Sequence, residues 1–434
     1  MSSATISLII FGVCIVFFIF TRIPLSVTAV LGLMAMILCN VCSFADGFQN
    51  FGASSVILIS SMMIVGKASF QTGLAQTIGA RVLSLAGNDE RKLIVFGTVI
   101  TAALSAFLSN IATLSIMIYM VTGICGSNKN VRFKNLIMPI SIGAVLGGMI
   151  TLIGSTPQLT AQGLLETYLG AGNGFRFFDF AIPGCLIVLM LVIFVGWIGY
   201  PLGKKIWGAR EDYDEIPTAS DASAAHEIRQ EKQKIMSVIF FLTILLFVTS
   251  DWLSNYIPNF NIALVSISAA SACILSGCIS LEDAFRSVNW NLVVWLAASL
   301  GMAGALNSSG GGAMLANAFI GLFGTNVPAN VLFVWFIVIA VVLTQFLSNS
   351  TVITILLPIA FSIASDLEYN PFALAVGITM ASAVAVATPL ANTTIAMSMV
   401  AKYKFNDYWK YAGIPTVLAI IIICIVVPLL YPLV

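Results

Sequence analysis

Charge is what this sequence has least of. Asp, Glu, Lys and Arg make up 9% of its 434 residues, while 59% are hydrophobic and the mean hydropathy is +1.03. A soluble domain carries about 25% charged and about 45–50% apolar residues. So little charge cannot cover a folded surface in water. Disordered segments, secreted disulfide scaffolds, nucleic-acid binders and ordinary cytosolic enzymes are thereby excluded, and a polytopic membrane protein is left. The net charge of +1 offers no basic or acidic face to a polymer. Histidine occurs once, as His226, in the most polar stretch of the chain. That argues against a His-based metal site and against a Ser-His intramembrane hydrolase, so an enzyme is not expected. The eight cysteines lie mostly in apolar runs such as Val13-Cys14-Ile15 and Ala272-Cys273-Ile274. They read as small apolar fillers rather than disulfides or zinc ligands. The N-terminus lacks a basic leader region and a small-residue cleavage site, so Ile6–Phe20 reads as the body of a retained first span.

What is there is a set of apolar runs. Spans are expected near 5–20, 24–42, 54–76, 135–170 and 178–200, then near 235–256, 261–279, 290–309, 371–401 and 411–432. Most approach the roughly 20 residues that a hydrocarbon core of about 30 Å requires. The stretch 204–234 holds thirteen of the charged residues and reads as a solvated cytoplasmic linker between a first half, 1–203, and a second, 235–434. Two further apolar segments, Leu93–Gly126 and Val331–Ser365, are too long for one crossing and carry a polar break midway. Basic residues flank the first on both sides, which puts both ends on the cytoplasmic face. It therefore reads as a re-entrant hairpin over 91–129. The second, over 328–366, reads as a hairpin entering from outside. With this topology all but two of the 19 basic residues fall on the cytoplasmic side. Arg176 falls outside and Lys67 within a span.

Each half then has five crossings and one hairpin, and the odd number inverts the second half. Phe107-Leu108-Ser109-Asn110 recurs as Phe346-Leu347-Ser348-Asn349. Ser43-Phe44-Ala45-Asp46-Gly47-Phe48 resembles Ser280-Leu281-Glu282-Asp283-Ala284-Phe285. Thr156-Pro157 matches Thr388-Pro389, in broken helices expected over 135–170 and 371–401. The offsets are 232 to 239 residues. The expected fold is an all-α polytopic membrane protein made of an inverted repeat. Inverted repeats with broken helices mark secondary transporters, whose sites lie near the membrane midplane. Irregular backbone at that depth persists only where protein, water or a bound ion satisfies it.

The two hairpin breaks read Ser105-Ala106-Phe107-Leu108-Ser109-Asn110 and Thr344-Gln345-Phe346-Leu347-Ser348-Asn349. A hydroxyl four residues before the serine lies one turn away on the same face. Two hydroxyls and an amide oxygen there suit a hard, oxygen-liking cation. The plainer alternative is Ser and Thr bonding back to their own helices. Near the later breaks, Gly154 tolerates unusual dihedrals, and each proline removes a donor and disfavours helix just before it.

On these residues the chain resembles the divalent anion:sodium symporter family, the dicarboxylate and sulfate carriers. The resemblance runs from the third crossing to the last. It implies one sodium site at Ser105, Ser109, Asn110 and Gly154, and a second at Thr344, Ser348, Asn349 and Ala387. It implies an anion between Asn110, Ser155, Thr156, Asn349, Ser350, Thr388 and Pro389. It also implies a homodimer working as an elevator-type transporter, and chain length and low charge content fit a bacterial inner membrane. Two departures stand out. The family's third hairpin position is Ile111 in one hairpin and Ser350 in the other, so one hydroxyl is lost, and an extra N-terminal helix common in the family is not counted here. Lys67 has two readings: a charge partner for the anion or a coupling ion, or a snorkelling lysine of the scaffold. The leading function is sodium-coupled import of a small divalent anion. A sodium-independent exchanger of the same fold and an anion channel or sensor are the alternatives.

Overall fold

The computed structural model describes residues 1–21, 23–84, 87, 89–128, 130–170, 172–210, 230–257, 260–314, 317, 327–390 and 392–434. Most of the expected linker, with His226, lies outside the described residues, as do Arg22, Lys129 and Ala391. Among the described residues there is no strand. The first half contains α1 (Ser3–Phe20), α2 (Leu25–Leu38), α3 (Phe44–Phe48), α4 (Ser54–Gln71), α5 (Leu74–Ser84), α6 (Glu90–Ser105), α7 (Asn110–Ser127), α8 (Phe133–Gly147), α9 (Thr156–Leu169), α10 (Ala181–Phe194) and α11 (Tyr200–Trp207). The second contains α12 (Gln230–Val248), α13 (Ser250–Leu253), α14 (Ile262–Leu275), α15 (Leu281–Ser287), α16 (Trp290–Ser308), α17 (Ala329–Thr344), α18 (Asn349–Asp366), α19 (Pro371–Ala383), α20 (Thr393–Met397) and α21 (Phe405–Leu430). Seven helical stretches among the described residues are long and apolar enough to cross a membrane. The 26 residues of α21, at about 1.5 Å each, exceed a hydrocarbon core of about 30 Å.

The matched sequence landmarks do matching structural work. Ser43 caps α3 by accepting from the Asp46 amide, and Ser280 caps α15 by accepting from the Asp283 amide, both at 3.1 Å. Each cap satisfies an otherwise unpaired N–H and starts a short helix ahead of a long one. The hairpin segments turn at residues 106–109 and 345–348. The helices also exchange contacts across the halves. α2 packs on α16 while α14 packs on α4, and α9 packs on α18 while α20 packs on α7. The half-helices α8 and α19 run through the middle. Every residue of α8 is buried, as is α19 from Ala373 to Ala383. Helices largely apolar on every face belong in such a core.

The base of the first hairpin is pinned by a buried carboxylate. Glu90 accepts from the Arg132 amide at 2.8 Å, the Asn135 side chain at 2.9 Å and the Tyr200 hydroxyl at 2.7 Å. Lys204 lies 3.6 Å away. Beside it, Arg210 grips Asp407 through both nitrogens, at 2.7 and 2.6 Å. These bonds tie α6, α8, α11 and α21 together at one end.

Three expectations need correction. The run 54–76 is not one helix: α4 stops at Gln71, and Gly73, at φ 75°, turns the chain into α5. Left-handed backbone of this kind is readily accessible only to glycine. Thr156-Pro157 does not interrupt a helix but opens one, since proline fits the first turn where its missing N–H costs nothing. The break in the first half is the preceding segment, 148–155. Cys39 and Cys185 are exposed and so are not core fillers, while Cys42, which stands C-x-x-C with Cys39 in the turn after α2, packs partly buried against the core.

Candidate functional site

A cavity of about 410 Å³ lies where the two hairpin turns meet. Its size suits a small molecule. Ser109 and Asn110 line it from the first turn, and Ser348, Asn349 and Ser350 from the second. Gly154, Ser155 and Thr156 come from the first break, and Asn392, Thr393 and Thr394 from the second. Met62 and Met63 of α4, the cap residue Asn289 of α16, and Asn291 and Trp295 within it form the opposite wall. No charged side chain is among its described lining residues.

Its polarity comes from helix ends instead. Asn110, Thr156 and Asn349 are the first residues of α7, α9 and α18, and the starts of α2 at Leu25 and of α20 at Thr393 also line this cavity, so several helix N-termini reach it. Free N–H groups and the macrodipole make such ends attract negative charge. Ser348 caps α18, accepting from the Thr351 amide at 3.3 Å. Ser350 bridges the halves through its hydroxyl, 3.4 Å from that of Thr156.

Behind each turn, oxygens gather. In the first, the Ser105 hydroxyl donates to Asn110 Oδ1 at 2.7 Å. The Thr151 hydroxyl donates to the Ala106 carbonyl. The Gln158 amide donates to the Gly148 carbonyl at 3.4 Å. The backbone approaches closely because glycine allows it. A Cβ on Gly148 would collide with Asn110 Oδ1, and one on Gly154 with the Gly148 carbonyl. In the second, the Thr344 hydroxyl lies 2.6 Å from the Ser382 carbonyl and 3.1 Å from Asn349 Oδ1. The hydroxyl, carbonyl and amide oxygens among these groups are the kind a hard cation takes. Among the described residues no group of three or more His, Cys, Asp or Glu forms a metal cluster.

Several singled-out residues lie elsewhere. Ser105 and Thr344 are fully buried behind the turns. Ala387 and Thr388 face Gln345 rather than the cavity. The Ala387 amide donates to Gln345 Oε1 at 3.0 Å, and the Thr388 hydroxyl donates to the Gln345 carbonyl. Gln345 Nε2 also reaches the Val384 carbonyl at 2.8 Å, so this one amide holds the second break. Pro389 does not line the cavity, and neither does Lys67. The Lys67 ammonium sits 5.6 Å from the Phe70 ring, near Asp283. The Asp283 carboxyl is held below its ordinary range by the Ser280 hydroxyl first, then by the Gln71 amide and the Lys67 charge. Sequence reading missed Asn289, Asn291, Trp295, Gln345 and Asn392–Thr394. The pair Asn289 and Asn291 at the start of an apolar helix was a signal for the opposite wall.

The sequence pattern of a family described as citrate transporters matches residues 15–379. An uncharacterised transporter of Synechocystis is 27% identical over 191 residues, which are 44% of this chain and 30% of that protein. The match thus spans under a third of that relative's length. A sodium-dependent dicarboxylate transporter of Staphylococcus saprophyticus is 22% identical, covering 94% of this chain and 83% of its own. The human Na(+)/dicarboxylate cotransporter 3 is also 22% identical, at 85% and 78% coverage. In fold, the chain is similar to the YdaH transporter of Alcanivorax borkumensis, with TM-score 0.61, 13% identity and coverage of 91% and 88%.

Proposed function

Because the chain belongs to the citrate transporter family, and is therefore a multi-pass membrane transporter rather than an enzyme, we propose that it couples sodium to the movement of a small anion. The anion would be a dicarboxylate, or a tricarboxylate or sulfate. The observation that carries this reading is the cavity itself: the N-termini of α7, α9 and α18, amides and hydroxyls around it, and no charged side chain among its described lining residues. Burying an anion there without compensation would be prohibitive. Sodium as co-transported cargo would offset it. Ser105, Ser109, Asn110 and Gly154 would hold one ion, and Thr344, Ser348, Asn349 and Ala387 a second. Relatives named as sodium-dependent dicarboxylate carriers support the same chemistry.

The anion would rest on Asn110, Ser155, Thr156, Asn349 and Ser350. Asn110 and Asn349 each turn one oxygen toward a hydroxyl behind the turn. Ion binding there would order the N-termini that meet the anion. Ile111, 45% exposed and lining the cavity, leaves an apolar patch where Ser350 provides a hydroxyl, so the site favours an asymmetric fit. The rim residues Leu25 and Asn289 follow Arg22 and Arg286 closely in sequence. Basic flanks belong to the cytoplasm, which supports a cytoplasm-open cavity. The elevator movement, the two inverted repeats as its units and the homodimer are parts of the same proposal.

The test is uptake of labelled citrate, succinate, 2-oxoglutarate and sulfate into proteoliposomes, with and without an inward sodium gradient. Sodium-dependent uptake supports the proposal and names the anion. Uptake that ignores sodium and needs anion preloaded inside would replace it with an exchanger.

A further inference from the structure

On the wall facing the hairpin turns, two side-chain amides have unused donors. Asn289 and Asn291 both line the cavity, and both are exposed. Asn289 caps α16, with its Oδ1 accepting from the Leu292 amide at 3.2 Å. A backbone N–H bonds to the oxygen and not to the NH₂ group, so the cap fixes which branch is which. Nδ2 is thereby turned away from the helix. Asn291 Oδ1 accepts from the Ser26 hydroxyl, which leaves its Nδ2 as the free branch. Neither Nδ2 has a partner among the described residues, and each carries two N–H donors. Leu25, Ile59, Met62, Met63, Leu292 and the Trp295 ring make the rest of that wall. At about 410 Å³ the cavity is within the range that holds drug-sized ligands. A four-carbon anion seated at the turns therefore leaves space in front of these amides.

We propose that Asn289 and Asn291 are specificity-determining residues, whose amide N–H groups donate to an acceptor that the anion carries beyond the carboxylates held at the hairpin turns. This inference rests on the anion reading above and deepens it. The turns would hold a dicarboxylate and a tricarboxylate alike, and the α16 wall would tell them apart. A third carboxylate is the matching partner, since an NH₂ group only donates and a charged acceptor strengthens the bond. Succinate has no group left over for this wall.

The experiment uses the purified full chain in sodium buffer, with citrate and succinate as probes. Anion-induced thermal stabilisation gives an apparent affinity for each, and competition for uptake after reconstitution gives a second measure. Asn289→Ser keeps a good helix cap and removes the NH₂ group. Asn291→Ala removes the second amide without adding charge, and Ser26, only partly buried, can turn to water. Citrate affinity should fall about tenfold in Asn289→Ser, the scale of one lost hydrogen bond to a charge. It should fall in the same direction in Asn291→Ala. Succinate affinity should stay within about twofold of wild type in both. The ratio of the two affinities is the deciding quantity, because a loss of fold or stability weakens both anions together. A ratio unchanged within about twofold in both variants overturns the inference. A wild type that binds succinate and not citrate also overturns it, and leaves the anion reading standing. A wild type that responds to neither probe is a separate result, and it overturns the reading on which this one rests.

Discussion

Asn110 and Asn349 each serve two neighbours at once. Their side-chain oxygens meet the hydroxyls of Ser105 and Thr344, and the same residues line the cavity. Alanine at either position removes a polar group shared by the proposed ion and anion sites. Asn110→Ala and Asn349→Ala should each lower sodium-driven uptake about 100-fold, the scale of one lost hydrogen bond to a charge. Reconstituted uptake at fixed protein density measures this. Gly148 is the contrasting residue. It contributes no side chain, yet a Cβ there would strike Asn110 Oδ1. Gly148→Ala should cost about 1–3 kcal/mol of overpacking and raise the sodium concentration for half-maximal uptake. An unchanged sodium curve would separate Gly148 from the ion site. Ile111 gives a third prediction: Ile111→Thr should change the ranking of anions in competition assays while leaving sodium dependence in place.

At the scale of elements, the first hairpin is fastened at its base. Glu90 opens α6 and collects three donors and a nearby ammonium while nearly excluded from solvent. Glu90→Ala would strand those donors, and a cost of about 3 kcal/mol is expected. Glu90→Gln keeps an acceptor and should cost less. Melting temperatures of the detergent-solubilised protein rank the two. The existence of these elements was readable in advance, since long apolar runs flanked by charge leave few alternatives. The position of the first break was not. The proline at 157 drew attention because proline excludes helix interiors, but at the first turn it is favoured. Only the folded chain shows that the irregular stretch ends just before it. Gln345 was part of the hairpin motif, yet its role needs residues 384–388 to pass beside it.

At the scale of the molecule, the exchange of α2 and α14 between opposite partners leaves one cavity between a wall of α4 and α16 and a bundle bearing both turns. A transporter must expose such a cavity to one side at a time. Asn291 is exposed at its rim. In a background without native cysteines, Asn291→Cys should react with a membrane-impermeant thiol reagent applied from the cytoplasmic side. Reaction from the outside alone would reverse the assigned orientation.

Composition by itself determined that this chain lives in a membrane, because 9% charge cannot solvate a folded surface. The repeated Phe-Leu-Ser-Asn and the caps Ser43 and Ser280 were equally legible, since caps and turns depend on a few adjacent residues. The tertiary structure decided which motif residues share a cavity. It brought Asn110 and Asn349 together, turned Thr388 toward Gln345, set Lys67 near Asp283 and placed Trp295 opposite the turns. Which way a side chain faces depends on the register of packed helices distant in sequence, and no local pattern carries that register.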